Sequence, residues 1–181
     1  MAAAKEGIMQ SVEKTVWVGK EGHTPLGTLW VGLSDHGLVA VDIQTSFEAF
    51  ERRLVKLGFR TINPSQEKAQ PALDQITEYL DGRRRAFDFQ IDWSVMTDFQ
   101  QQALRATAAI PYGETSTYAA LANQIGRPRA ARAVGRAEAT NPMPLVIPCH
   151  RVLGSDGGLH GYGAGEGLAT KSWLLELEQE D

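Results

Sequence analysis

Tyr118-Ala119-Ala120-Leu121-Ala122-Asn123-Gln124-Ile125-Gly126-Arg127-Pro128-Arg129-Ala130-Ala131-Arg132-Ala133-Val134-Gly135-Arg136-Ala137 is the stretch whose reading decides the fold. Tyr118 to Ile125 reads as a short helix that Gly126 ends, and Pro128 reads as the opening of a second helix running to about Ala139. Two short helices split by a tight glycine-containing turn make a helix-turn-helix pattern. In the second helix Arg129, Arg132 and Arg136 fall at i, i+3 and i+7 as one basic stripe, while Ala130, Val134 and Ala137 share the face that packs inward. Ala131, Ala133 and Gly135 keep the helix thin. A helix with average side chains is ~10–12 Å across, whereas the minor groove of DNA is only ~6 Å wide, so a helix trimmed to alanine and glycine approaches a narrow groove more closely. A helix trimmed for tight packing against another helix, with its arginines in solvent, explains the same residues, and both readings stand at this point.

Working outward, Thr97 with Gln100 predicts a capping box for a helix carrying Phe99, Ala103, Leu104 and Ala106, and Pro111-Tyr112-Gly113-Glu114 reads as a turn. The region before Trp93 has a different character. Thr15–Gly19 reads as a short strand, and Leu26–Leu33 and Leu38–Ile43 read as a hairpin joined by Ser34-Asp35-His36-Gly37. A helix from about Ser46 places Phe47, Phe50, Leu54 and Leu57 on one stripe and stops at Gly58. Residues 59–70 are polar and loop-like. Pro71 reads as the opening of a helix with Leu73, Ile76 and Leu80 inward, closed by Asp81-Gly82, and Ala86–Ile91 alternates as a strand with Phe87 and Phe89 on one face. This order predicts an α/β domain over residues 1–93, with 1–13 a loose extension, and a mainly helical domain over 94–181.

Residue 149 is the only cysteine, in Pro148-Cys149-His150-Arg151 after an apolar approach Leu145-Val146-Ile147 that reads as a strand bounded by the proline. A solitary thiol can form neither an internal disulfide nor a thiolate metal cage. Flanked by an imidazole and a guanidinium, it is expected to have a depressed pKa and to act as a nucleophile; the competing reading is a buried cysteine behaving as a small hydrophobe. A lone unpaired cysteine suits a reducing cytoplasm, no apolar run approaches the roughly 20 residues that span a bilayer, and the N-terminus lacks a signal peptide's apolar core. His23, His36, His150 and His160 have no metal-ligand spacing, so neither a metal nor a cofactor is expected.

The formal net charge of −4 argues against coating nucleic acid through bulk charge, but the charge is unevenly placed. Residues 103–152 carry a net +4 and the rest of the chain −8, which points to one local anionic contact.

Taken together these residues resemble the O6-alkylguanine-DNA alkyltransferases, the methylated-DNA–protein-cysteine methyltransferase family. The resemblance runs through Tyr112-Gly113-Glu114-Thr115-Ser116-Thr117-Tyr118, Ala130-Ala131-Arg132-Ala133-Val134-Gly135, Asn141-Pro142 and Ile147-Pro148-Cys149-His150-Arg151-Val152 to Lys171-Ser172-Trp173-Leu174-Leu175-Glu176-Leu177-Glu178. It is close over roughly residues 97–178 and loose before them, resting there on Pro25-Leu26-Gly27 and the element order. It implies a ribonuclease-H-like sheet domain followed by a winged-helix-like domain with the helix-turn-helix. It also implies a reaction: an O6-alkylguanine is flipped from duplex DNA on the minor-groove side, and its alkyl group passes irreversibly to the protein's own cysteine, once per molecule. O4-alkylthymine is a further candidate substrate.

Carried over residue by residue, the resemblance makes Cys149 the acceptor, His150 the base acting through water, Glu178 the carboxylate that orients it, and Asn141 the support of the active-site turn. Tyr118 assists the leaving guanine and the rotation of the nucleotide, and Arg132 fills the vacated stack. Arg129, Arg136, Ala131 and Gly135 complete the expected DNA contact; Val152, Tyr162, Gly163 and Ala164 the base pocket, with the carbonyls of Cys149 and Val152 reading the guanine amino edge. Arg151 is expected to serve structure by salt bridging. A monomer acting on double-stranded DNA is implied, with cooperativity open. The departure is Gly161–Leu168, about two residues longer than the family's loop and carrying Glu166, whose four glycines predict flexibility. Two other readings compete. A non-catalytic lesion binder of the alkyltransferase-like type replaces the cysteine, which Cys149 disfavours. A Cys-His-Glu hydrolase leaves the helix-turn-helix unexplained.

Overall fold

The computed structural model describes residues 14–180, so the expected extension over 1–13 lies outside the described residues. The chain opens with a meander of β1 (Thr15–Thr24), β2 (Gly27–Ser34) and β3 (Gly37–Ile43), then α1 (Phe47–Lys56), β4 (Thr61–Pro64) and α2 (Gln66–Leu80). The sheet order is β3-β2-β1-β4; the first three strands pair antiparallel, and β4 returns parallel to β1 with Val16 opposite Ile62. Side-chain alternation builds two apolar layers. Leu29 and Val31 join Val41, Ile43 and the Leu73, Ile76 and Leu80 stripe of α2, whereas Trp30 packs with Val16, Val18, Val39 and the Phe50 and Leu54 stripe of α1. Gly19 lets α2 close on β1, since a Cβ there would stand 2.3 Å from the Ala69 methyl.

Four expectations are corrected here. β1 runs five residues beyond Gly19. Residues 59–70 contain β4 and the start of α2: the pairing partner of β4 lies some 46 residues back in sequence, so no local alternation announces it, and Pro64 is tolerated because the strand is at the sheet edge. Ser65, not Pro71, starts α2, its hydroxyl accepting from the Lys68 amide at 3.4 Å, and Pro71 sits inside the helix. Ala86–Ile91 is no strand. Ile91 makes one isolated bridge beside Leu38, while the Asp88 amide donates to Gln75 Oε1 and the Ala86 carbonyl accepts from Arg84, so side chains take the place of a ladder. Phe87 and Phe89 do share a face, stacked at 5.3 Å.

A 3₁₀ turn (Trp93–Val95) leads into α3 (Asp98–Ala108), whose Thr97–Gln100 capping box is formed as expected. β5 (Ser116–Thr117), α4 (Tyr118–Gln124), α5 (Ala131–Ala139), a 3₁₀ turn (Cys149–Arg151), β6 (Val152–Leu153) and α6 (Leu168–Leu177) complete the chain. α3, α4 and α5 enclose Ala103, Ile110, Leu121, Val134 and Ala137 in a small core. The larger apolar cluster crosses between the halves: Leu104, Met143, Leu145, Ile147 and Leu174 pack into the same group as Leu73 and Ile76. The result is a mixed-sheet domain joined to a helical one, as the sequence predicts. Among the described residues no helix is long and apolar enough to cross a membrane.

Candidate active site

α4 and α5 form the helix-turn-helix, with one correction. The turn is longer than Pro128 suggests: the amides of Arg127 and Ala130 close it on the carbonyls of Ala122 and Arg127, and α5 begins only at Ala131. Arg129 therefore sits in the turn, exposed, and Ala130 is the cap; the basic stripe on α5 is Arg132 and Arg136, one turn apart. Val134 and Ala137 are buried as expected. Ala131 is part-buried, and Gly135 faces the Tyr118 ring, where an added Cβ would lie 3.7 Å away. An alanine there would meet the ring in ordinary contact, so the close approach of α5 to Tyr118 does not require glycine.

Tyr118 reaches the cysteine through a short pairing. β5 lies parallel to β6, Thr117 opposite Leu153, and Thr117 caps α4, so Tyr118 opens the helix beside the segment that follows Cys149. A cavity of about 240 Å³ results, lined by Tyr118, Gly135, Glu138, Ala139, Cys149, His160, Gly161, Tyr162 and Gly163. Ala164 is buried in the large core, and Val152 lies beneath, its carbonyl accepting from Lys171 Nζ at 2.6 Å, which occupies one lone pair of that oxygen. In the 161–168 loop the Glu166 amide bonds to Thr170 Oγ1 and Gly165 and Gly167 take positive φ, so the loop is anchored at Ala164 and Thr170 and these two glycines serve backbone shape.

The segment before Cys149 is not a strand. Asn141 staples it into a closed turn: its Nδ2 donates to the Ile147 carbonyl at 2.9 Å and its Oδ1 accepts from the Met143 amide at 2.9 Å. Within that turn Leu145 is held at φ 74°, a conformation that costs a non-glycine residue ~1–3 kcal/mol. The sheet domain holds the same turn from outside, the Val41 amide donating to the Pro142 carbonyl at 2.9 Å and Arg53 Nη2 to the Asn141 carbonyl at 2.5 Å. Asn141 thus holds this turn with both ends of its amide.

Cys149, His150 and Arg151 form a single 3₁₀ turn, which sends the three side chains apart. His150 is fully buried, and its Nε2 lies 2.8 Å from Glu178 Oε1. Arg151 grips the same carboxylate with two nitrogens, Nη2 to Oε1 at 2.8 Å and Nε to Oε2 at 2.9 Å, and donates Nη1 to the Ile110 carbonyl. The Gly113 amide donates to Oε2 and Tyr79 Oη to Oε1. Burial works against a charge on Glu178, yet the hydrogen bonds from His150 and Arg151 outweigh it and hold the carboxyl down to about 2. An ionised Glu178 fixes the imidazole tautomer with the proton on Nε2. Nδ1, buried and without a protein partner, is then the basic lone pair. Burial also lowers the His150 pKa, keeping the ring neutral and ready to accept a proton.

The expectation of a depressed thiol pKa is corrected. Burial, reinforced by the charge of Glu138, pushes Cys149 up to about 12 against the pull of Asn141 and Lys171. Arg151, the cation next but one in sequence, is turned away to Glu178. The resting group is a thiol, so any nucleophilic use of Cys149 needs a base to remove its proton. Three participants escape the sequence reading. Tyr79, from α2, shares the stripe of Ile76 and reads as core. Lys171 is fully buried on α6, donating to the carbonyls of Val152 and Leu159, and Glu138 is buried on α5. Their signal is a charge on an apolar stripe: Glu138 lies four residues after Val134, and Lys171 three before Leu174.

Comparison with known proteins gives a consistent pattern. Residues 98–180 match the family described as 6-O-methylguanine DNA methyltransferase, DNA binding domain, and residues 22–93 match 6-O-methylguanine DNA methyltransferase, ribonuclease-like domain. The methylated-DNA–protein-cysteine methyltransferase of Mycobacterium bovis is 40% identical over 156 residues, covering 86% of this chain and 88% of that protein. The inducible methylated-DNA–protein-cysteine methyltransferase of Bacillus subtilis is 38% identical over 145 residues, 79% of each. Among solved structures, Mycobacterium tuberculosis O6-methylguanine methyltransferase superposes with a TM-score of 0.75 at 37% identity, covering 91% of this chain and 93% of that one. Mycobacterium tuberculosis OGT in complex with DNA does so with 0.72 at 36% identity, covering 91% and 92%.

Proposed function

Because this chain belongs to the 6-O-methylguanine DNA methyltransferase family, we propose that it repairs DNA by direct reversal, taking the alkyl group of O6-alkylguanine onto Cys149 once per molecule. The observation that carries this reading is the buried thiol on the wall of the Tyr118 cavity, next in sequence to a neutral imidazole whose Nδ1 has no protein partner and whose Nε2 is locked by Glu178. The thiol proton passes through a bridging water to His150 Nδ1, and Glu178 stabilises the imidazolium. Sulfur then bonds to the alkyl carbon as the carbon–O6 bond breaks, and its electron pair goes to the guanine. Tyr118, whose pKa burial raises, is protonated and donates towards the leaving base; the proton given up by the thiol balances the one guanine gains. The thioether has no leaving group that water can displace, so the protein is spent.

Arg132 and Arg136 on the exposed face of α5, with Arg129 in the turn before it, are the contacts to duplex DNA, approached from the minor-groove side by a monomer. Arg132 fills the stack that the flipped nucleotide leaves. Incubation with duplex DNA carrying a labelled O6-methylguanine tests the reading. One label per chain and none on Cys149→Ser is the expected result. Repeated turnover, or labelling that survives Cys149→Ser, overturns it.

A further inference from the structure

One buried acid has no part in that reaction. Glu138 is 7% exposed and lies on the wall where two cavities meet at Cys149: the one under Tyr118, and a groove of about 490 Å³ between the domains. Its carboxyl is fixed from one side only. Thr107, fully buried on α3, donates to Oε1 at 2.6 Å, and the same hydroxyl stands 3.2 Å from the Ala103 carbonyl. Oε2 is buried and no protein group pairs with it.

The proton inventory shows what that oxygen asks for. Burial raises the Glu138 pKa to about 7, so both forms occur near neutrality. When the acid is neutral and Thr107 donates to Oε1, the acid's proton sits on Oε2, which then donates. When it is ionised, Thr107 donates to Oε1 and Oε2 accepts. In both forms the free oxygen calls for a polar partner, which a hydroxyl supplies either as donor or as acceptor, and an apolar group packed against it leaves it unpaired. The reacting carbon must pass close to Sγ, and the two cavities together hold far more than a methyl group.

We propose that Glu138 is a specificity-determining residue that favours O6 substituents bearing a hydroxyl just beyond the transferred carbon, a 2-hydroxyethyl group being the simplest. The inference rests on the alkyl-transfer reading. The adduct's first carbon moves from O6 to Sγ as before; its hydroxyl pairs with Glu138 Oε2, donating to the ionised acid and accepting from the neutral one, and takes no part in bond making.

The test uses duplex oligonucleotides carrying O6-(2-hydroxyethyl)guanine and its near-isostere O6-propylguanine, with O6-methylguanine as reference, and reads single-turnover rates. The unmodified protein is expected to favour hydroxyethyl over propyl by about tenfold, and Glu138→Met, which keeps the volume and removes the polar partner, to bring the ratio to one or below. A ratio of one in the unmodified protein, or an unchanged ratio in Glu138→Met, overturns the assignment. Should that variant not fold, the unmodified protein's ratio decides alone. Transfer of methyl without the hydroxyethyl preference refutes only the role of Glu138, whereas failure to transfer methyl at all refutes the reading beneath it.

Discussion

Around the sheet apolar side chains fill the interior, among them Val16, Leu29, Val31, Val39, Val41, Ile43, Phe50 and Leu54; around Cys149 the buried side chains include Thr107, Glu138, Asn141, His150, Arg151, Lys171 and Glu178. The two regions are held by different forces. The sheet domain gains from apolar area removed from water, which is non-directional and tolerates changes of shape. The site gains only where each polar group meets its partner, so the loss of one member exposes the others to an uncompensated burial cost.

The sharpest way to break this contrast is a pair of truncations. Glu178→Ala strands Arg151, His150, Tyr79 and the Gly113 amide at once, and is expected to cost ~3–5 kcal/mol in urea unfolding while slowing transfer per folded molecule at least ~100-fold. Leu54→Ala, fully buried under α1, is expected to cost ~2–5 kcal/mol with the transfer rate per folded molecule unchanged. A rate loss in Leu54→Ala matching that of Glu178→Ala would show that the regions cannot be separated.

pH gives the next largest effect, with opposite signs within one site. Glu138 has a folded pKa raised to about 7 from 4.5, so its favourable contribution is full below about 4.5 and is lost as pH rises through 7, a change on the order of 3 kcal/mol. Glu178, lowered to about 2, contributes above its unfolded value and loses that contribution as pH falls towards 2. Glu138 should therefore lower the melting temperature between about pH 4.5 and 7 and add no further slope above that, and Glu138→Gln should remove this contribution. An unchanged slope would mean that Glu138 does not carry it.

The smallest effect falls on a side chain of the sheet domain that enters the site's polar network from α2. Tyr79→Phe removes a single hydroxyl from Glu178 and is expected to cost ~1 kcal/mol, with a modest slowing of transfer. No change in transfer would mark Tyr79 as packing alone.

What could be read in advance was what is local. The Thr97–Gln100 box, the Ser46 cap and the Gly126 stop lie within a few residues of the groups they satisfy, and all three are formed. β4 was hidden because its partner is β1, and Tyr79 because periodicity cannot tell a core ring from one whose hydroxyl meets a carboxylate 99 residues on. The raised thiol pKa escapes the sequence for a related reason. Adjacency to His150 and Arg151 suggested positive charge, but one 3₁₀ turn sends the guanidinium to Glu178 and leaves Glu138 to act on the sulfur.

The Asn141–Pro142 turn has a second consequence. β3 is an edge strand of the sheet, paired with β2 on one side only. Its other margin is covered by the Pro142 carbonyl on the Val41 amide and by Gln90 and Asp92 on Leu38. An uncovered strand edge is a template for joining other chains. The turn that shapes the reactive pocket is thus also a guard against self-association, and a change that displaces it puts solubility at risk along with chemistry.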